Sequence, residues 1–231
     1  MKTPFTLFII CVFCTIIAYS QEETIIVQSE NEMVAIDEIK PKHTFNVVLG
    51  LPNTTINKPF ESIMKGVVDA NVYYQYHLPF ALVFGGGFRF IHYKINEFRV
   101  PEKLDGVMHA FGPFFKIGYE KFYTKRFAFD ASVKIGYEWN YVVTDLNKAR
   151  RGGAYQFDAG FVEPTIGFIL SAANQSSFRL TIGYTIQGYS FKPAMLGTIL
   201  QGGWEQKEFT KTAQFITFGL GYTYYIGKKK D

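Results

Sequence analysis

The sequence predicts an all-β fold, an eight-stranded antiparallel up-and-down transmembrane β-barrel. Three observations support this prediction: apolar and polar residues alternate with a period of two, the alternation recurs in eight segments, and the connections between segments are alternately long and short. The composition agrees. The 231 residues include 24 Phe, 15 Tyr and 21 Gly, and aromatic residues with glycine are typical of strands and turns.

The clearest strand runs from Phe127 to Val142. Its odd-numbered residues are all apolar or aromatic, whereas its even-numbered residues include four strongly polar ones, a pattern that a helix does not produce. The other seven segments show the same alternation. They are His43–Leu51, Ala70–Leu78, Leu82–Phe90, Phe111–Glu120, Ala154–Leu170, Phe178–Gln187 and Ile216–Gly227.

Two prolines interrupt this pattern. Pro113 lies in the fourth segment and Pro164 in the sixth, where the apolar phase slips near Glu163. Because proline cannot donate a ladder hydrogen bond and a closed barrel has no edge strand, we predict a β-bulge at each proline.

The connections between the segments alternate in length. Long ones are expected at 52–66, 94–106, 143–153 and 188–213, and short ones near 79, at 123–126 and at 171–177. Such alternation is expected when every other connection faces the outside of the cell.

Three features predict that the apolar face points outward to lipid. Most segments reach the roughly 9–11 residues that a bilayer-spanning strand needs. The polar faces alternate charge with glycine, which suits the filled interior of an eight-stranded barrel. Aromatic residues gather at strand ends, as interfacial girdles do. They are Tyr73, Tyr74, Tyr76, Trp139 and Tyr141. A soluble lipocalin-like barrel with an apolar interior is the alternative.

The polar faces predict a charge network inside the barrel. Its expected members are Arg89, Lys116, Glu120, Asp130, Lys134, Glu138 and Arg179. Two interpretations stay open, a paired network that plugs the barrel and an ion path or switchable gate. The narrow interior of eight strands favours the plug. The triplet Gly85-Gly86-Gly87 is expected to form a kink or to make room for a large interior side chain.

The first twenty residues predict a signal peptide. Lys2 precedes an apolar run, Phe5 to Ala18, that is too short to span a bilayer as a helix, and Ala18-Tyr19-Ser20 fits a signal-peptidase site. We predict export with Gln21 as the first mature residue; an uncleaved anchor is the alternative. The only two cysteines, Cys11 and Cys14, lie in this segment, so a disulfide scaffold is excluded.

The chain resembles the small outer-membrane β-barrels of Gram-negative bacteria, such as the OmpA-type transmembrane domain, in its size, signal peptide, eight strands and alternating connections. The stretch 217–224 is similar to the signal read by the barrel-assembly machinery, which implies that role for Thr217, Gly219, Tyr222 and Tyr224. The chain departs from the family pattern because it continues to 228–231 without a terminal Phe. The resemblance covers 43–227 and implies an outer-membrane location, with outer-membrane lipid and lipopolysaccharide as partners.

No catalytic, cofactor or metal site is predicted. The four histidines lack the His-x-Ser pair that barrel-borne lipid A deacylases carry, and their spacing is not that of metal ligands. His92 and His109 end and begin adjacent segments, so we expect them to approach each other near the outer rim as amphipathic interfacial residues. A lipid-modifying enzyme is therefore the least favoured function.

The longest connection is the strongest candidate for a binding site. Its apolar residues indicate either a surface for a partner, or else an extended hairpin or a loop that packs on its own barrel mouth. They are Met195, Leu196, Ile199, Leu200 and Trp204. On another outer connection, Arg150 and Arg151 are expected to meet lipopolysaccharide phosphates.

The remaining segments are an acidic stretch at 21–42 and a basic tail at 228–231, both expected in the periplasm. The predicted function is that of a structural platform with a plugged interior, which binds an extracellular or periplasmic protein. A narrow porin-like pore, or a conduit for small hydrophobic solutes, is the alternative. The net charge of +4 is too small to indicate nucleic-acid binding, and the hydrophobic content of 48% excludes a disordered chain.

Overall fold

The computed structural model describes residues 42–99, 104–124, 126–173, 175–198 and 204–226. Within them eight strands, each antiparallel to its neighbours, close into one barrel in which β1 pairs with β8. The predicted eight-stranded antiparallel barrel is confirmed. The strands are β1 (His43–Thr55), β2 (Met64–His77), β3 (Leu82–Ile95), β4 (Gly106–Phe122), β5 (Phe127–Thr144), β6 (Tyr155–Ala173), β7 (Ser176–Gln187) and β8 (Gln214–Ile226).

The alternation of long and short connections is also confirmed. Four long connections lie at one end of the barrel, which we call the long-loop end. Three short connections lie at the other end, the short-turn end, where β1 begins and β8 ends. The long connections contain α1 (Lys58–Ile63), α2 (Asp145–Arg151) and the 3₁₀ turns Glu97–Arg99, Pro193–Leu196 and Gln206–Thr210. Among the described residues, none of the helices has the length and apolarity to cross a membrane.

The predicted signal peptide at 1–20, nearly all of the acidic stretch at 21–42 and the basic tail at 228–231 lie outside the described residues. The first strand is longer than predicted. It runs past Leu51 to Thr55, because residues 52–55 continue the pairing with β8.

The side chains alternate across the barrel wall in the predicted phase. Outward residues of the barrel wall are mostly apolar and solvent-accessible, with Leu220 71% exposed, whereas the inward charged residues are buried, with Arg89 0% exposed. One girdle prediction is wrong. Tyr73 points inward and is buried, since it shares the parity of Asp69 and Asn71 on β2.

The predicted bulges at the two prolines are wrong. At Pro113 the β4–β5 ladder is interrupted over two residues and resumes in the same register, and the same happens at Pro164 in the β6–β7 ladder. The barrel therefore accepts each proline by omitting ladder pairing locally. The register shifts of the described strands lie elsewhere, at Gly66/Val68 and Ser171/Ala173.

The predicted phase slip in the sixth strand is also wrong. β6 alternates inward and outward without interruption, and Phe157 and Phe161 belong to its inward face. These aromatic side chains made the inward face read as apolar in its first half, so the polar Glu163 looked like a change of phase.

Candidate functional site

The inward-facing charges form two clusters, the first nearer the short-turn end. Lys116 Nζ lies 2.6 Å from Asp130 Oδ2, and Arg179 donates to Asp130 at 2.5 Å and to Glu120 at 2.9 Å. The Gln75 amide links these groups, donating to Glu120 Oε2 at 3.0 Å and accepting from Lys116 Nζ at 2.7 Å. Two basic and two acidic side chains are thus paired in a buried layer.

The second cluster lies at mid-height and is centred on Arg89. The guanidinium forms an ion pair with Asp69, lies 2.8 Å from Glu163 Oε2 and lies 3.7 Å from Glu138 Oε1. Lys134 Nζ lies 2.8 Å from the other Glu163 oxygen. A buried charge is tolerated only when it is paired and hydrogen-bonded, so the loss of one of these five side chains would leave a partner uncompensated.

The structure therefore brings together all seven residues that the sequence singled out for an interior network. Each is at most 5% exposed. Sequence reasoning missed Asp69, Gln75 and Glu163 as members. Asp69 and Gln75 lie on the polar face of the second strand. Their even spacing from Asn71 could have identified them as inward-facing. Glu163 was hidden by the apparent phase slip.

Inward-facing aromatic rings lie against the same cations. Such contacts stabilise a desolvated cation through the ring face. The pairs, with the distance from the charged atom to the ring centroid, are Arg89–Phe161 at 5.0 Å, Arg89–Phe215 at 5.2 Å, Lys116–Tyr73 at 5.1 Å and Lys134–Phe114 at 5.4 Å. Gly87 makes room for Tyr73, because a Cβ on Gly87 would lie 2.3 Å from Tyr73 Cβ. The predicted clearance role of the glycine triplet is confirmed at this position.

An apolar cap covers the network at the long-loop end. Buried strand residues and loop residues build it together. Its fully buried members include Phe60, Ile91, Tyr93, Met108, Val142, Phe191, Leu196 and Phe215. Phe60 places α1 on the cap, with its ring 5.4 Å from the rings of both Tyr93 and Phe191. Burial raises the pKa of Tyr189, which packs at the edge of the cap, well above its ordinary value, so its hydroxyl stays protonated.

The longest loop packs on the barrel mouth, and α2 fastens it there. Leu196 is fully buried, and its carbonyl accepts from Thr144 Oγ1 at 2.8 Å. The Asn147 amide donates to the Met195 carbonyl at 2.9 Å, and Arg150 Nη1 donates to the Gly197 carbonyl at 2.5 Å. These contacts correspond to the second of the two interpretations drawn from the sequence, a loop folded on its own barrel.

The remaining residues predicted for this loop divide into two groups. Met195 and Trp204 are partly buried against the cap, whereas Ile199 and Leu200 lie outside the described residues. Arg151 reaches a backbone carbonyl as well, with Nη2 3.5 Å from the oxygen of Ala194. The arginines that the sequence suggested for lipid phosphates thus face the loop.

Removing the Arg150 contact is expected to loosen this loop while the barrel stays intact. A charge-assisted hydrogen bond contributes about 1.5–3 kcal/mol, so Arg150→Ala should expose the loop to trypsin about tenfold faster. The measurement is the rate of cleavage after Lys207, which lies in the same loop and is exposed. Lys148→Ala is the matched control, since this exposed side chain lies on the same helix and its ion pair among the described residues is with Asp145, at 3.7 Å. Equal cleavage rates for the two variants would contradict the role given to Arg150.

The structure separates the histidines between the two faces of the barrel wall. His77 lies inside the barrel, 3.8 Å from Glu120. His92 and His109 lie on the outward surface, with their Nδ1 atoms 3.3 Å apart, so the structure brings this predicted pair together. Within the described ranges no three His, Cys, Asp or Glu side chains are arranged to hold a metal ion.

The four residues of the predicted assembly signal divide between the two faces of β8. Thr217 points inward and donates to Asp69 at 3.2 Å, and Gly219 faces Thr181. Tyr222 and Tyr224 point outward and are exposed. Their recognition by the assembly machinery stays a prediction.

Comparison with known proteins finds a likeness of fold only. No protein family and no curated protein sequence matches the chain. Among solved structures, Neisserial surface protein A has a TM-score of 0.52 at 10% identity, covering 80% of this chain and 97% of that one. The outer membrane protein OprG from Pseudomonas aeruginosa has a TM-score of 0.43 at 12% identity, covering 81% and 99%. Ail of Yersinia pestis has a TM-score of 0.42 at 10% identity, covering 79% and 98%. The first likeness shows that the two chains share a fold.

Proposed function

We propose that the chain is an integral barrel of a bacterial outer membrane and works as a closed, membrane-anchored platform. The observation that carries the proposal is the direction of the side chains. Charged residues fill the barrel interior and are buried, whereas Phe, Leu, Ile and Tyr cover its outside. A water-soluble barrel shows the reverse arrangement, and a soluble monomer rarely exposes an apolar patch of more than a few hundred Å².

Two further features support the membrane location. The likeness of fold to Neisserial surface protein A is consistent with a surface protein. The long and short connections lie at opposite ends, as they do in barrels whose long loops face the outside of the cell. The long-loop end is therefore proposed to be extracellular and the short-turn end periplasmic.

The closed interior is proposed from the two layers that cross it. One ion-pair cluster fills the barrel near its short-turn end and the other fills its middle, and the apolar cap covers the long-loop end. An eight-stranded barrel leaves little lumen in any case. A platform accounts for this filling better than the alternative of a pore or a conduit does.

The platform would meet its partner through the long-loop end. The apolar residues of the longest loop are folded onto the cap, so the neighbouring loops offer the exposed apolar side chains. Phe98 is 89% exposed, and Ile56 is also exposed. An extracellular protein is the proposed partner, and the absence of catalysis stays a prediction.

Two measurements on the expressed chain test this proposal. Outer-membrane fractions should contain the protein in a form whose gel migration shifts on heating, which reports a folded barrel. After reconstitution into planar bilayers, the protein should give no stable single-channel conductance. Release into the soluble fraction would contradict the membrane barrel, and a reproducible conductance would contradict the closed interior and favour the pore.

A single outward substitution distinguishes lipid from water around the barrel. Leu220→Glu is expected to lower the free energy of unfolding in lipid vesicles by about 2 kcal/mol, because a charge on the lipid face is costly. Leu220 suits the test because it is more exposed than the outward aromatic and aliphatic neighbours of β8, such as Phe218 and Tyr222. The control is Glu205→Gln on the exposed loop, which should change the free energy by less than about 0.5 kcal/mol. An effect of Leu220→Glu as small as that of the control would argue for a wall in contact with water.

A further inference from the structure

Four basic side chains meet on the outward surface of β2, β3 and β4. Lys65 is paired directly with Lys94 across the β2–β3 ladder, and His92 is paired directly with His109 across the β3–β4 ladder. Strand alternation places His92 and Lys94 on the same outward face. We call these four residues the rim patch.

The two lysines are unusual neighbours. Like charges directly opposite each other destabilise a pair of strands, and both side chains are exposed. Among the described residues neither ammonium group has a hydrogen-bond or ion-pair partner that would offset the repulsion. The pair is therefore suited to an anion from outside the chain.

The histidines extend the same basic surface. Their rings stack with centroids 4.8 Å apart and planes inclined by 26°, and the ring of Phe90 stacks on His109 at 5.8 Å. The rings are therefore held in place, with the two Nδ1 atoms 3.3 Å apart. When one Nδ1 accepts a hydrogen bond from the other, the accepting ring keeps an Nε2–H group that can donate to a ligand.

The rim patch lies at the edge of the apolar band. On β3 the outward residues from Leu82 to Phe90 are apolar, and on β4 those from Phe111 to Tyr119 are apolar as well. Each band is about nine residues long, which is the length that crosses a bilayer. The rim patch follows directly on the long-loop side, at the level where lipid headgroups lie.

We propose that the rim patch binds the phosphate group of a membrane lipid in the leaflet on the long-loop side. The inference rests on the proposed function, since only an inserted barrel brings this surface to headgroup level. Lys65 and Lys94 supply charge-assisted hydrogen bonds to phosphate oxygens, and the histidine pair adds an N–H donor on the side of the apolar band. Phe90 and Phe111 continue the surface toward the acyl chains. A divalent metal ion on the imidazoles is disfavoured by the two ammonium groups next to them.

Binding of single lipids to the folded barrel in detergent tests the proposal. Phosphatidic acid, which carries a terminal phosphate, is compared with phosphatidylcholine by native mass spectrometry. The wild type should prefer phosphatidic acid by at least about tenfold, and Lys65→Gln with Lys94→Gln should remove most of that preference. Raising the salt from about 0.1 M to about 0.5 M should weaken it as well. Inorganic phosphate should compete only weakly, because it lacks the acyl chains.

A matched pair of substitutions controls for net charge. Lys148→Gln with Lys207→Gln removes two positive charges from exposed loop positions and should leave the preference unchanged. An equal loss in this control would overturn the proposal, as would equal binding of the two lipids by the wild type. Zinc binding that His92→Gln with His109→Gln abolishes, without a preference for phosphatidic acid, would assign the histidines to a metal instead.

Folding of each variant is checked by the heat-dependent gel shift before lipid is added. If the double lysine variant does not fold, Lys94→Gln alone replaces it and should lower the preference by about threefold, roughly half the free energy of the double change. A wild type that fails to insert into lipid contradicts the proposed function. A wild type that inserts but shows no preference for phosphatidic acid contradicts only the lipid site.

Discussion

Replacing Arg89 with methionine is expected to lower the free energy of unfolding by about 3–5 kcal/mol, because it leaves buried carboxylates without their cation. Arg89 is fully buried, and it pairs with Asp69 and Glu163 while facing Glu138. The measurement is urea unfolding in lipid vesicles, followed by tryptophan fluorescence. Loss of the heat-dependent gel shift at a lower temperature should accompany it.

Two further variants test whether the effect of Arg89→Met comes from the buried carboxylates. Arg99→Met removes the same charge from an exposed turn and should change the free energy by less than about 0.5 kcal/mol. Combining Arg89→Met with Asp69→Asn should recover part of the loss, since the carboxylate that ion-pairs with Arg89 is then neutral while Glu163 keeps its ion pair with Lys134. A loss below about 1 kcal/mol for Arg89→Met alone would show that the interior is hydrated and open.

The second large effect concerns two adjacent glycines of β3. Gly87→Ala is expected to cost about 3 kcal/mol or to prevent folding, because the new Cβ would lie 2.2 Å from the Val72 carbonyl oxygen and 2.3 Å from Tyr73 Cβ. Neither neighbour can move freely, as both belong to the paired β2 strand. The measurement is the yield of heat-modifiable barrel, followed by urea unfolding of the folded fraction.

Gly86→Ala is the natural control for this prediction. Gly86 points outward, and the nearest atom to its added Cβ is the Phe114 carbonyl oxygen at 3.4 Å. The two substitutions add the same methyl group one residue apart and should differ by about 2 kcal/mol or more. Similar stabilities would mean that the interior has room that the packing of Tyr73 does not show.

Much of the fold could be predicted because barrel geometry is local in sequence. A period of two fixes which residues face inward, so the parity of Phe127–Val142 is enough to separate Lys134 and Glu138 from their lipid-facing neighbours. Connection lengths follow from where each pattern stops. The interior charges could be predicted as well, because few charged residues within these strands lie on the outward face.

The predictions that were wrong concern features that depend on contacts between segments distant in sequence. Proline was expected to demand bulges, but the barrel omits local ladder pairing at Pro113 and Pro164 and keeps its register. Inward aromatic residues such as Phe161 look lipid-facing until the cation they cover is known. The burial of Leu196 depends on hydrogen bonds with α2, more than forty residues earlier in the chain.

Nitroxide scanning of the barrel wall tests the central claim most directly. The two cysteines lie in the predicted signal peptide, so single cysteines can be placed in the chain starting at Gln21. With a label at Leu220→Cys in lipid vesicles, we predict high collision rates with oxygen and low rates with a water-soluble nickel complex. A label at Lys207→Cys on the exposed loop should show the reverse. Free access of the nickel complex to position 220 would contradict a lipid-facing barrel.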